Sequence, residues 1–346
     1  MSREIYELLQ LILTLNLNFV IIPYLSGNLG KAFRIKKIYD RKRIIKASVT
    51  PTLKQKYNDI ELNKISNKDF KDATLEFAEL LVSKFPKDTL VNFYNNINEL
   101  VVKKNHVILL IGASGCYNNI SNVVSLSNSA SIYHELFHMA SRTYDKETKN
   151  IYAGFSQKNF KLPKILYEAI GTGINEGYTE LLAHRYFGDK HNLPKAYEFE
   201  VDIAKKIEVI IGSDKMTSLY LNGNLMGLIE ELKKYMPEDD VLKFINRLDL
   251  INEYDFSHKS IIIRESIFDI YEFLLKTNAL KLKKQYEEGM IDLETFQTLS
   301  NNYLELFNDE VNVSSSEYNL KNIEEMYNII LKSINAPGYA SKHTNK

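Results

Sequence analysis

The stretch Ile132-Tyr133-His134-Glu135-Leu136-Phe137-His138-Met139-Ala140 decides how the rest of the chain is read. Residues four apart on an α-helix project from one face about a turn apart, so the imidazoles of His134 and His138 can converge on one metal ion. Imidazole suits zinc, and a catalytic zinc takes three protein ligands and keeps a fourth position open for water. Glu135, beside the first of these histidines, stands where the general base of metal-assisted hydrolysis must be. Every other residue of the stretch is uncharged, so a helix here can be buried on its remaining faces. Ahead of it, Asn122-Val123-Val124-Ser125-Leu126-Ser127 predicts a short strand, and the Ser-rich run that follows offers Ser129 or Ser131 as N-cap.

The companion to this stretch is Gly171-Thr172-Gly173-Ile174-Asn175-Glu176-Gly177-Tyr178-Thr179-Glu180-Leu181-Leu182-Ala183. Glu176 and Glu180 lie four apart on a second expected helix, beside apolar neighbours, which is odd for a simple core helix. The pattern fits if Glu176 is the third ligand and Glu180 braces a ligand histidine, since metal-bound imidazole usually donates its free N–H to a carboxylate. The bland alternative is two solvated acids. Gly171 and Gly173 let the backbone swing Glu176 inward.

Together, His134-Glu135-x-x-His138 and Asn175-Glu176-Gly177-Tyr178 resemble the gluzincin group of zinc metallopeptidases. Asn-Glu-Gly-aromatic is similar to the third-ligand segment of aminopeptidase N-like enzymes, and the acid at Glu180 to that of thermolysin-like ones. The resemblance implies one zinc held by His134, His138 and Glu176, with Glu135 as base and proton shuttle and Glu180 as an outer partner. It also implies a Tyr or His that stabilises the developing oxyanion, for which Tyr178, Tyr186 and Tyr220 are candidates. The 37 residues between His138 and Glu176 are a departure, since the two named groups use roughly half that. The resemblance covers roughly residues 120–190.

The surrounding chain is that of an ordinary globular protein: 346 residues, 45% hydrophobic and 25% charged. Lys+Arg and Asp+Glu both number 44, so no nucleic-acid or polyanion partner is expected. A single cysteine, Cys116, rules out an intrachain disulfide framework and reads as a buried thiol. With 14 Gly and 7 Pro, the composition favours helices over an all-β fold. The expected class is therefore α+β and predominantly helical: a zincin-like domain with a small sheet and an active-site helix, then a helical C-terminal lobe.

In order, residues 1–104 read as a mostly helical region and 105–190 as the catalytic core. Residues 191–338 read as the helical lobe and 339–346 as a disordered tail. Leu8 to Leu25 is apolar but interrupted, and reads as a buried helix (Ile5 to Leu15) and strand (Phe19 to Ile22) rather than a signal or anchor. That favours the cytoplasm, with a membrane-anchored or exported chain as the alternative. A basic run from Lys31 to Lys46 reads as a solvated face. Helices are expected over Asp69–Phe85 and Thr89–Val101, and a buried strand at Val107–Ile111. The strand at 122–127 is expected to be the edge above the cleft, free to pair with an extended peptide. The polar residues 144–165 account for the long ligand spacing and are expected to fold over the cleft. The second ligand helix is expected to run through His184, bonded to Glu180, to a stop at Gly188. Further helices are expected over Lys195–Ile211, Met216–Met236, Val241–Ile251, His258–Asn278, a pair within Leu280–Phe307, and Tyr318–Ile334.

The function expected from this reading is a zinc-dependent peptidase acting on a peptide or protein, more as an endopeptidase than an exopeptidase. The alternative is a non-catalytic metal-binding protein on a peptidase-like fold. Membrane association is not favoured.

Overall fold

A computed structural model describes residues 68–85, 87–104, 114–144, 150–159, 169–253, 261–307 and 320–339. The expectations for residues 1–46, for a strand at 107–111 and for residues 340–346 of the tail lie outside the described residues, while Tyr339, the first residue of that tail, packs against the core. Within them the fold is predominantly helical α+β, with one three-stranded and one four-stranded sheet.

Helix α1 (Lys68–Lys84) buries Phe70, Ala73, Phe77 and Leu81 at helical spacing, and α2 (Lys87–Asn98) follows it. The chain then enters β1 (Val101–Lys104), which lies parallel to β3 (Val123–Leu126), while β2 (Gly115–Asn118) is antiparallel to β3. The order β1-β3-β2 makes 123–126 the central strand rather than the expected edge. Its sequence agrees with that place: Val123, Val124 and Leu126 are buried, as a strand covered by neighbours on both sides requires. Cys116 lies on β2 and is exposed, contrary to expectation.

Helix α3 (Ile132–Ala140) carries the two histidines and has all nine residues buried. Nine residues are too few for an isolated helix to be stable in water, so its neighbours must hold it. They do so at both ends of its polar inventory. The Asn92 and Asn96 amides of α2 donate to Ala140 O (2.8 Å) and Met139 O (2.9 Å), meeting carbonyls the helix leaves open. On the α1 side, Tyr133 donates its hydroxyl to Glu76 at 2.7 Å, and Phe137 meets Phe77 edge-on at 4.7 Å.

The described residues of the insertion form a meander: β4 (Arg142–Tyr144), β5 (Asn150–Ala153), β6 (Ser156–Asn159) and β7 (Ala169–Ile170), each antiparallel to the next. Its buried hairpin tip points at the back of the next helix, where Phe155 N–H donates to Asn175 Oδ1 at 3.0 Å. That helix, α4 (Thr172–Ala183), starts at Gly171, whose φ of 79° an L side chain rarely adopts. Residues 169–170, just ahead of this helix, are the last strand of the meander. The helical path does not stop at Gly188. It passes through a π-helical turn (His184–Gly188) and a last turn (Asp189–His191), and ends at Asn192 with φ 48°.

The helical lobe is α5 (Glu198–Ile211), α6 (Ser213–Leu221), α7 (Leu225–Lys233), α8 (Glu238–Glu253), α9 (Ile261–Glu287), α10 (Leu293–Glu305) and α11 (Leu320–Ser333). The single helix expected over 216–236 is two, because Asn222-Gly223-Asn224 breaks it and Asn224 caps the second half by accepting Gly227 N–H at 2.7 Å. The break expected near residue 279 does not occur. Ala279 is fully buried inside α9, and no Gly or Pro intervenes before Gly289. Helix α4 packs against α3, α5 and α8, so the lobe grips the second ligand helix directly. No helix among the described residues is long and apolar enough to cross a membrane.

Candidate metal centre

Helices α3 and α4 meet with His134, His138 and Glu176 facing one another. The two Nε2 atoms lie 2.9 Å apart, and Glu176 Oε2 stands 3.1 Å from His134 Nε2 and 3.2 Å from His138 Nε2. A tetrahedral ion with bonds near 2.0–2.1 Å sets its ligand atoms about 3.3 Å apart, so this triangle is close to the spacing a metal demands. Two imidazoles and one carboxylate, all largely buried, can hold a metal ion.

Each histidine is braced from behind. His134 Nδ1 donates to Glu180 Oε2 at 2.7 Å, the arrangement expected for Glu180. For His138, Thr179 Oγ1 lies 3.4 Å from Nδ1 and Asn175 Nδ2 3.2 Å from it. Thr179 is itself fixed by a 2.6 Å bond to Asn175 O and by the Tyr220 hydroxyl at 2.5 Å. Glu180 Oε1 in turn accepts from His184 Nε2 (3.1 Å) and from Ala196 N–H (3.1 Å). His184 Nε2 also lies 3.0 Å from Pro194 O. Both its partners are acceptors, so this nitrogen carries the proton.

The electrostatics follow from these contacts. Burial alone would lower the pKa of His134, but its bonds to Glu176 and Glu180 outweigh that and lift it to about 10. Glu176 moves the other way, held well below the carboxylate range by the two histidines despite its burial. Glu135 is 3% exposed, and burial pushes its pKa up against the pull of His134 and His138. Its carboxylate accepts the Tyr117 backbone N–H from β2.

His134 and Glu135 open onto a cleft of about 390 Å³. One wall is Ser114–Gly115 with Ala130–Ser131, and the other is a strap of residues 193–197. None of the described residues of the meander lines this cleft. The strap begins after Asn192 and ends at Tyr197, whose φ of 52° is uncommon for a bulky side chain. The helix expected from Lys195 therefore starts three residues later, at Glu198. The Tyr197 ring stacks on His134, centroids 5.6 Å apart and planes 18° apart.

None of the three expected oxyanion candidates lines this cleft. Tyr178 is fully buried and its hydroxyl is engaged by Glu208 (2.9 Å) and Thr217 (2.7 Å). Tyr220 is turned to Thr179, and Tyr186 packs edge-on against Phe85. Tyr197 is the tyrosine at the cleft. Its only sequence signal is Asn192-Leu193-Pro194, which marks a loop without saying where it runs.

Where the edge strand lies also matters. Ser127 N–H donates to Ser114 O at 2.9 Å, and Cys116 and Asn118 pair with Ser125 and Val123. Alternation then turns the backbone groups of Gly115 and Tyr117 away from β3. Tyr117 N–H is taken by Glu135, and Gly115 lines the cleft. Among the described residues, the outer strand beside the cleft is thus β2 and not 122–127. Comparison with protein-family models, curated proteins and solved structures found no match to this chain.

Proposed function

We propose that this chain is a zinc-dependent peptidase of gluzincin type that cuts within peptides. The observation that carries the reading is the triangle of His134, His138 and Glu176 ligand atoms beside a buried Glu135 on the floor of an open cleft. Two imidazoles and a carboxylate with room for a further ligand suit catalytic zinc better than magnesium or calcium, which prefer all-oxygen sets. Bound zinc supplies a Lewis acid for the scissile carbonyl and for the attacking water.

The chain's own residues do the rest. Glu135 takes the proton from the attacking water and passes it to the leaving amine nitrogen. Burial, which raises its pKa, favours a carboxylate able to hold that proton in transit. Tyr197, stacked on His134 at the rim, donates its hydroxyl to the oxygen on which negative charge develops. Gly115 offers its outward N–H and C=O to an extended substrate lying along β2. No Asp or Glu stands between Glu99 and Glu135 to hold a substrate's free amine from the strand side, which supports internal cleavage.

The test is metal analysis and peptide turnover of the wild-type chain beside three variants. About one zinc per chain is expected, lost or weakened in His138→Ala and Glu176→Ala. Glu135→Gln should keep its zinc and lose turnover. A wild-type chain that takes up no zinc, or a Glu135→Gln variant that cleaves at the wild-type rate, would overturn the assignment.

A further inference from the structure

Lys195 contributes the one cationic side chain of the described cleft lining other than the His134 ring. We propose that the substrate presents a carboxylate to this cleft and that Lys195 receives it, an inference that rests on the peptidase reading above.

The acids around Lys195 are already engaged. Glu180 spends one oxygen on His134 and the other on His184 and Ala196 N–H. Glu176 faces the two histidines, and Glu135 accepts the Tyr117 N–H. Cations in neighbouring elements have protein partners: Lys190 pairs with Glu76 at 2.7 Å, and Arg185 with Glu208 at 2.5 Å. Lys195 has no hydrogen bond or ion pair to any described residue. A lysine on a loose loop would mean little, but this one is presented by a fastened strap. Pro194 O lies 3.0 Å from His184 Nε2, and Ala196 N–H is 3.1 Å from Glu180 Oε1, so the residues on both sides of Lys195 are tied to α4 and its π-helical extension. Lys195 is exposed, and the lining it shares is partly small, with Gly115, Ala130, Ala183 and Ala196. A cation in the lining of a cleft whose acids are spent elsewhere can be paired by what enters the cleft.

The carboxylate can belong to an Asp or Glu side chain or to a free C-terminus, and the experiment separates the two. Four peptides of one sequence are compared, carrying Asp or Asn at a central position and ending as acid or amide. Cleavage by zinc-loaded wild type, Lys195→Ala and Lys195→Glu is measured as kcat/KM. Binding of the same peptides to zinc-loaded Glu135→Gln, with and without Lys195→Ala, is measured by calorimetry at low and high salt. Wild type should favour one carboxylate over its neutral counterpart by about fivefold, the scale of an ion pair at a partly open site. The ratio should fall to about one in Lys195→Ala and invert in Lys195→Glu, with zinc content unchanged in both. A preference following Asp over Asn assigns a side chain, and one following acid over amide assigns a terminus. Cleavage with the same ratio in all three proteins overturns the role of Lys195 and leaves the peptidase reading standing. Carboxylate-dependent binding lost in Lys195→Ala, with no cleavage by wild type, does the reverse. Absence of both binding and cleavage overturns both.

Discussion

Glu180 illustrates how much one side chain carries. Its two oxygens face opposite ways, one toward the Nδ1 of His134 and the other toward His184 and the Ala196 N–H of the strap. Those partners all donate, so only a carboxylate satisfies both sides. A Gln must turn its NH2 group toward one set of donors. Glu180→Gln should therefore weaken zinc binding by about 10–100-fold, the usual cost of disturbing a ligand's outer partner. Competition with a chromophoric chelator measures this, and an unchanged affinity would show that the brace on His134 is idle. Gly177 shows a different dependence. A Cβ there would sit 2.2 Å from Glu200 O, a backbone atom of α5 that cannot swing aside. The Asn-Glu-Gly order is legible in the sequence, but the reason for its glycine is the helix packed against it.

At the scale of elements, the second ligand helix depends on a distant one. Gly171 at the start of α4 has no side chain with which to cap it. Asp249 of α8 does so instead, accepting Gly171 N–H at 2.7 Å, Gly173 N–H at 2.8 Å and the Thr172 hydroxyl at 3.1 Å. A carboxylate at a helix N-terminus satisfies open donors and complements the helix dipole. Asp249→Ala should cost about 1–2 kcal/mol of stability in urea unfolding, in line with other lost caps. It should also reduce zinc retention, because Glu176 lies little more than one turn into that helix. A stability loss with zinc binding intact would separate the cap from the metal site. The sequence marks Gly171 and Gly173 as pivots, yet nothing local announces a cap 78 residues away.

For the whole molecule, the clustered charges tie folding, protons and metal together. His134 is lifted above its ordinary 6.5 to about 10, so in the metal-free chain it is protonated near neutrality. Its contribution to stability is full below pH 6.5 and is lost as pH rises toward 10. Glu176, held below its ordinary 4.5, contributes above that value and loses its contribution as pH falls. The cluster thus stabilises the metal-free fold most between pH 4.5 and 6.5. On the proposed reading zinc displaces the His134 proton, so its uptake near pH 7 should release about one proton per chain, read by calorimetry in buffers of differing ionisation enthalpy. The gap in Tm between zinc-loaded and metal-free protein should widen from about pH 6 to about pH 8.5. A constant gap would mean that zinc uptake displaces no proton from His134.

What the sequence alone determined is what neighbouring residues can dictate. Spacing of four puts His134 with His138 and Glu176 with Glu180 on common helix faces, and apolar periodicity with few breakers makes the chain mostly helical. Those patterns act within a turn or two, so they are written locally. The tertiary structure decided which surfaces meet. It brought two residues separated by 37 others, His138 and Glu176, to within 3.2 Å at their side-chain atoms and formed the described residues between the two helices into a meander behind α4. It also made 123–126 the central strand, with β2 outermost among the described residues, and set Lys195 and Tyr197 in the lining of the cleft. These placements arise from burying side chains across long sequence separations and from pairing polar groups that have no local partner, and no local pattern records them.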